Sequence, residues 1–309
     1  MNPKKIAILL AVILVLSAVG LMAGASTLVE TDRTTSLQLS YGYDGRSFPG
    51  ENVRIHRVAT ISAYVEYTLW GDFADLPVEV NQIRTQEEWN QLASTLAAMV
   101  VAEEIPPTAE AMTDENGVVK FDDLAQGLYF VEGVRVEVEG GYYDFGGFMI
   151  SLPDLDENDD WVYDVIAKPK SFYQEVLPEE ITYTVSKLWK DAGNEYKRPQ
   201  NITLELYQNE TLVETVVLSA ENDWTYSWTA LDDGSVWYAV EKNVPDGYTV
   251  TLSQEGNHFT VINTYDNPPP PPQTGDTTPV GLYLALMALA GVGLIVVGIV
   301  IFRKKNDEK

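Results

Sequence analysis

The sequence predicts an all-β protein of two tandem β-sandwich domains, the first carrying one inserted helix, with an apolar segment at each end of the chain. Three observations predict it. Val, Thr, Tyr and Trp recur in short alternating runs, the pattern of strands with one buried face. Gly, Asn, Asp and Pro separate those runs at close intervals, as in sandwiches built from many short strands. The stretch between the apolar ends, about 250 residues, is enough for two domains of ordinary size.

The N-terminus places Lys4 and Lys5 before an apolar run from Ile6 to Val19, followed by Ala23-Gly24-Ala25. A basic start, a short apolar stretch and a small-residue cleavage site make residues 1–25 a secretory signal peptide. The first domain is predicted over residues 31–170. Ser36 to Tyr41 alternates as a strand, and Val53 to Val58 is a second. Thr85-Gln86-Glu87-Glu88 then forms a capping box. Trp89, Leu92, Leu96, Met99 and Val100 fall on one helical face, and Pro106-Pro107 ends the helix, which is expected to lie on the sandwich. Strands follow at Val118 to Phe121, Leu128 to Val138 and Phe145 to Leu152, and Trp161 to Ala167 closes the domain.

The second domain is predicted over residues 181–265, with strand-like runs at Thr182–Trp189, Ile202–Gln208, Leu212–Leu218, Trp224–Trp228, Val236–Glu241, Tyr248–Leu252 and Thr260–Tyr265. That number of short strands with turn signals between them reads as an immunoglobulin-like sandwich. Residues 266–275 form a Pro-rich spacer, stiff and extended. Residues 280–302 carry no charge and are long enough to span a bilayer as a helix, and the basic residues in the tail 303–309 place that tail in the cytoplasm. The bulk of the chain is therefore expected outside the cell.

Composition narrows the function. Acidic residues number 46 against 20 basic, a formal net charge of −26. Losing the two ends would make the remainder more acidic still, since both carry more basic than acidic residues. Such a surface repels nucleic acid and anionic lipid. Cysteine is absent, so disulfides, thiol nucleophiles and thiolate metal sites are all excluded. Asp154, Asp156, Asn158 and Asp160 alternate like the start of a calcium loop, yet Asp159 stands where the Gly is needed and Val165 where the closing Glu belongs, so a solvated acidic turn is expected. His56 and His258 are isolated in sequence. No nucleophile triad, phosphate loop or metal set is evident, and neither a cofactor nor an enzyme activity on an external substrate is predicted.

Four phrases resemble known families. Pro272-Gln273-Thr274-Gly275 is similar to the Pro-x-Thr-Gly core of a sortase sorting signal, and motif, apolar helix and basic tail follow in the family's order. Pro271 stands in place of the leading Leu. The resemblance implies cleavage between Thr274 and Gly275 and an acyl bond at Thr274. In the second domain, Lys187-Leu188-Trp189-Lys190-Asp191, Lys197-Arg198-Pro199, Ile202 to Tyr207, Asn222-Asp223-Trp224, Tyr238-Ala239-Val240-Glu241, Pro245-Asp246-Gly247-Tyr248 and Val261 to Tyr265 resemble the collagen-adhesin B-type repeat. That resemblance implies an amide bond between Lys187 and Asn263, assisted by Glu241 as a buried acid.

In the first domain, Gly117 to Leu124, Gly127-Leu128-Tyr129 and Phe148 to Pro153 resemble the N-terminal domains of sortase-assembled pilins. Its first strand carries Gln38 and no Lys, its closing strand lacks an Asn, and Glu132 has no evident partner, so no internal bond is expected there. Trp161 to Lys170 resembles the pilin motif, whose Lys after Pro accepts the sortase-activated Thr of the next subunit; this implies Lys170 as acceptor, with Lys168 as competitor. Together these imply a secreted, wall-anchored pilin subunit of a Gram-positive bacterium, made as a single-pass membrane precursor. Its expected partners are sortase, peptidoglycan or neighbouring pilin subunits, and a host surface ligand. A monomeric wall-anchored adhesin binding a host protein or glycan is the alternative.

Overall fold

The structure, a computed structural model, describes residues 28–156, 158–176 and 179–265. The signal peptide, the sorting signal with Thr274 and Gly275, and the apolar segment 280–302 lie outside the described residues. Among the described residues no helix is long and apolar enough to cross a membrane.

The chain is predominantly β. The N-terminal region contains β1 (Thr35–Ser40), β2 (Gly42–Tyr43), β3 (Arg46–Ser47), β4 (Asn52–Ile61), β5 (Tyr67–Leu69), α1 (Gln86–Ala102), β6 (Ala109–Met112), β7 (Val118–Leu124), β8 (Gly127–Val131) and β9 (Val134–Val138). It continues with β10 (Gly141–Phe145), β11 (Phe148–Leu152), β12 (Asp154–Leu155), β13 (Trp161–Val162), β14 (Asp164–Ala167) and β15 (Ser171–Glu175). Its main sheets run β14-β1-β7 and β11-β8-β4-β5, with β6 also on β4, and a third runs β15-β10-β9. β8 is buried at every position because its two faces enter different apolar clusters, Leu128 and Phe130 on one side and Tyr129 and Val131 on the other. The predicted run from Phe145 to Leu152 is interrupted at Gly146-Gly147, so that Phe145 ends β10 and β11 begins at Phe148. β15 pairs with β10, so the sheets of this region extend past Lys170.

The second sandwich has the seven strands expected: β16 (Glu180–Lys190), β17 (Asn201–Gln208), β18 (Thr211–Ser219), β19 (Thr225–Leu231), β20 (Trp237–Lys242), β21 (Tyr248–Glu255) and β22 (His258–Tyr265). They form a four-stranded sheet, β19-β16-β22-β21, facing a three-stranded sheet, β18-β17-β20. Alternation sets the faces: Ile202, Leu204 and Leu206 of β17 point inward, with half-buried residues between them. In both regions the first strand runs parallel to the closing one, β1 with β14 and β16 with β22. Parallel neighbours from opposite ends of a domain bring sequence-distant side chains onto one face.

Thr85 caps α1 by accepting from Glu88 N, and the Glu88 carboxylate accepts from Thr85 N at 2.9 Å, the capping box read from the sequence. The helix does not lie on the first sandwich alone. Leu92, Ala93, Leu96, Ala98 and Met99 are all buried, and they join one apolar cluster that runs from Val58 and Phe130 through α1 to Leu204, Val250 and Val261 of the second sandwich. A helix buried on a single stripe would not need Ala93 and Ala98 as well. A second cluster, around Leu37, Leu39, Phe121, Tyr129 and Leu152, fills the first sandwich.

Candidate functional site

Lys187 sits on β16 and points into the second sandwich, flanked on the same face by Val185 and Trp189. β22 runs beside it in register, Lys187 opposite Val261 and Trp189 opposite Asn263. Glu241 comes from β20 in the facing sheet. The three side chains meet across the core. Lys187 Nζ lies 3.1 Å from Glu241 Oε2 and donates to Val261 O at 3.3 Å. Asn263 Nδ2 donates to Glu241 Oε1 at 2.9 Å.

The site is dry. The side chains of Lys187 and Glu241 are fully buried, as is Asn263. Burial pushes the Lys187 amine down from 10.5 to about 8, against the opposing pull of Glu241, because a charged amine loses its water shell inside the sandwich. Glu241 Oε2 is close enough to Lys187 to pair but out of line for a hydrogen bond, and Asn263 Oδ1 has no hydrogen-bond partner. An unsatisfied buried acceptor costs roughly 1–3 kcal/mol.

Aromatic rings and an ion pair hold the geometry. Lys187 Nζ lies 4.5 Å from the centre of the Trp189 ring, which meets Trp224 and Tyr248 edge-on. At the end of β16, Arg198 grips the buried Asp191 carboxylate with Nε and Nη2, each at 2.6 Å, and Tyr248 donates to the same carboxylate at 3.1 Å. Arg198 keeps that carboxyl below its ordinary range. The sequence phrases Lys190-Asp191, Lys197-Arg198-Pro199 and Gly247-Tyr248 meet in this one latch, a role no single phrase disclosed.

Residues 183–264 match the Cna protein B-type domain. The match covers the whole span that holds Lys187, Glu241 and Asn263. The chain is also 33% identical over 115 residues to a collagen adhesin of Staphylococcus aureus, a stretch amounting to 33% of this chain and 10% of that protein. The chain thus spans about a tenth of the length of that curated relative. Among solved structures, a single B repeat unit of the collagen-binding surface protein of Staphylococcus aureus aligns at 19% identity and a TM-score of 0.27, covering 75% of this chain and 99% of that one. The full-length major pilin SpaD from Corynebacterium diphtheriae aligns at 18% identity and 0.29, covering 76% and 65%. A shaft pilin SpaA from Lactobacillus rhamnosus GG aligns at 14% and 0.26, covering 77% and 100%. Scores this low carry no argument by themselves.

The remaining sequence candidates fall elsewhere. Lys168 and Lys170 are exposed on either side of the buried Pro169, in the link between β14 and β15. Asp156 caps a turn by accepting from Asn158 N at 2.8 Å and Asp160 N at 3.0 Å, and no group of residues able to hold a metal ion occurs among the described residues. Two readings of the first domain need correction. His56 is not isolated but fully buried, with Nε2 2.6 Å from Glu132 Oε1. Glu132, read as lacking partners for an internal bond, has ion-pair partners of another kind, since Arg54 Nη2 lies 2.8 Å from its other oxygen. The pairing was hidden because His56 and Glu132 are brought together only by the register of β4 against β8.

Proposed function

We propose that the Cna B-type domain of this chain closes itself with an amide bond between Lys187 and Asn263, and that the chain serves as a secreted surface subunit, a pilin or adhesin, fixed to the cell wall through Thr274. The observation that carries the first part is the convergence of amine, acid and amide in one fully buried cluster. In that setting Glu241 takes the proton of Lys187, leaving a neutral amine beside a neutral acid. A half-turn of the Asn263 side-chain amide exchanges Oδ1 and Nδ2 within the same space, so that the protonated Glu241 donates to Oδ1 and polarises the carbonyl. Lys187 Nζ attacks Cγ, and the Nζ–Cγ bond forms. Glu241 passes its proton to Nδ2 and takes one from Nζ in exchange, the Cγ–Nδ2 bond breaks, ammonia leaves and Glu241 ends protonated as it began the step. No oxidant or cofactor is needed. The sandwich supplies proximity, because β16 and β22 are adjacent strands and β20 faces them.

The surface role draws its support from the match of residues 183–264 and the sorting-signal resemblance around Thr274. Lys170 supports assembly over a solitary anchor: it presents an exposed amine at the end of the strand-borne segment, with Lys168 as its competitor. Two substitutions test this on native cells. Thr274→Ala is expected to shed the chain from wall extracts. Lys170→Ala is expected to abolish high-mass ladders on blots of those extracts; ladders that persist without Lys170 point to Lys168, and a wild-type chain that never forms ladders is a monomeric adhesin.

A further inference from the structure

The second sandwich is open along one side. β20 and β21 are the edge strands of its two sheets, and the core between two such edges reaches water unless another element covers it. Here α1 of the N-terminal region covers it. Thr95, Ala98 and Met99 line a small gap together with Glu241, Val250 and Val261. Leu252 N of β21 donates to Thr95 Oγ1 at 2.8 Å, and Val250 N donates to Pro77 O at 2.8 Å. Two outward-facing edge groups are thereby satisfied from outside the sandwich, where otherwise they would bind water or another strand. Ala98 allows the close approach, being buried with no side chain beyond Cβ.

We propose that α1 is a positioning element for the amide bond: by sealing the β20–β21 edge over Glu241, it makes bond formation in the second sandwich depend on docking of the N-terminal region. The inference rests on the Lys187–Asn263 reading. Its physical basis is the place of Glu241, which stands on an edge strand and is kept dry by a helix from elsewhere in the chain. Desolvation is the largest influence lowering the Lys187 amine, and Glu241 is the charged group that faces it. α1 presents Thr95, Ala98 and Met99 there, and β21 presents Val250 and Leu252, none of them charged. The acidic C-cap of α1, Glu103, is engaged instead with the half-buried Lys242. If water enters, Lys187 moves back toward 10.5, and each unit of that rise leaves about tenfold less neutral amine at neutral pH.

The test refolds the full extracellular chain, prepared unfolded and unreacted in urea, across a pH series and follows loss of one ammonia by intact mass. Ala98→Glu, which wedges a carboxylate into the docked face, is expected to slow the reaction about tenfold at neutral pH and to move the midpoint of the rate profile above about 8. Thr95→Val removes the oxygen that Leu252 N bonds. It should shift the profile the same way by less and speed hydrogen exchange at Leu252. Glu87→Ala, on the exposed first turn, should leave rate and midpoint unchanged. A reacting wild type with Thr95→Val and Ala98→Glu at the same rate and midpoint overturns the positioning role alone. If Ala98→Glu does not refold, an unchanged Thr95→Val profile is sufficient to overturn it. A wild type that keeps its ammonia removes the amide-bond reading beneath it.

Discussion

Each sandwich sets a carboxylate against two nitrogen-bearing side chains, half-buried in the first and fully buried in the second, and the two sets differ in what they can become. In the first, Glu132 on the strand end after β8 faces Arg54 at 2.8 Å and His56 at 2.6 Å. In the second, Glu241 faces Lys187 at 3.1 Å and Asn263 at 2.9 Å. Arg keeps its charge at any accessible pH, and His beside a carboxylate has no amide to attack, so the first cluster stays a reversible ion pair. Lys can be made neutral by burial, and Asn offers a carbonyl with a leaving group. An acid among nitrogen-bearing side chains is therefore not enough. The proposed bond needs a neutralisable amine and an amide on neighbouring strands; parallel pairing of first and closing strands is present in both regions, but a Lys and an Asn stand on it only in the second.

Breaking the second cluster should have the largest effect. Lys187→Ala prevents the bond that closes a loop of about 75 residues, and by analogy with a disulfide its loss destabilises by roughly 4 kcal/mol. The urea midpoint should fall accordingly, and the domain should become sensitive to proteases. Next comes pH. In Glu241→Gln the amine stays free and loses the carboxylate that favours its charge, so it titrates below about 8 in the folded chain and at 10.5 in the unfolded one. Between those values the unfolded chain holds more protons, and stability rises with pH. The gain should reach about 3 kcal/mol and vanish in Glu241→Gln/Lys187→Met; urea titrations across the alkaline range read it.

The first cluster should respond more weakly. His56→Ala leaves Glu132 with Arg54 alone and opens a space beside Phe73 and Phe130, at a cost of about 2 kcal/mol with no change in covalent mass. His56→Lys sharpens the comparison further, since it supplies an amine beside Glu132 but no amide, and the mass should still show no lost ammonia. Smallest is Thr85→Ala, which removes the N-cap of α1 and should cost about 1 kcal/mol, read from the thermal midpoint.

These differences also mark where the sequence is legible. Every strand of the second sandwich was announced by alternation and turn residues, and the α1 start by Thr85 and Glu88, because both signals are local. Lys187, Glu241 and Asn263 were legible only as members of a recurring pattern; singly, each is an ordinary strand residue. What stayed hidden was non-local. Ala93 and Ala98 look neutral in a helix, and nothing near them says that a second sandwich will press on that face. His56 and Glu132 are far apart in sequence and meet through strand register. The Asp191–Arg198–Tyr248 latch joins three separate phrases for the same reason.

The central claim is that amine, acid and amide in the Cna B-type domain react. The intact mass of the purified extracellular chain tests it most directly. The wild-type chain should be lighter than its sequence by one ammonia, Glu241→Ala should restore the full mass, and fragmentation should join the peptides carrying Lys187 and Asn263. A wild-type chain of full mass would contradict the account.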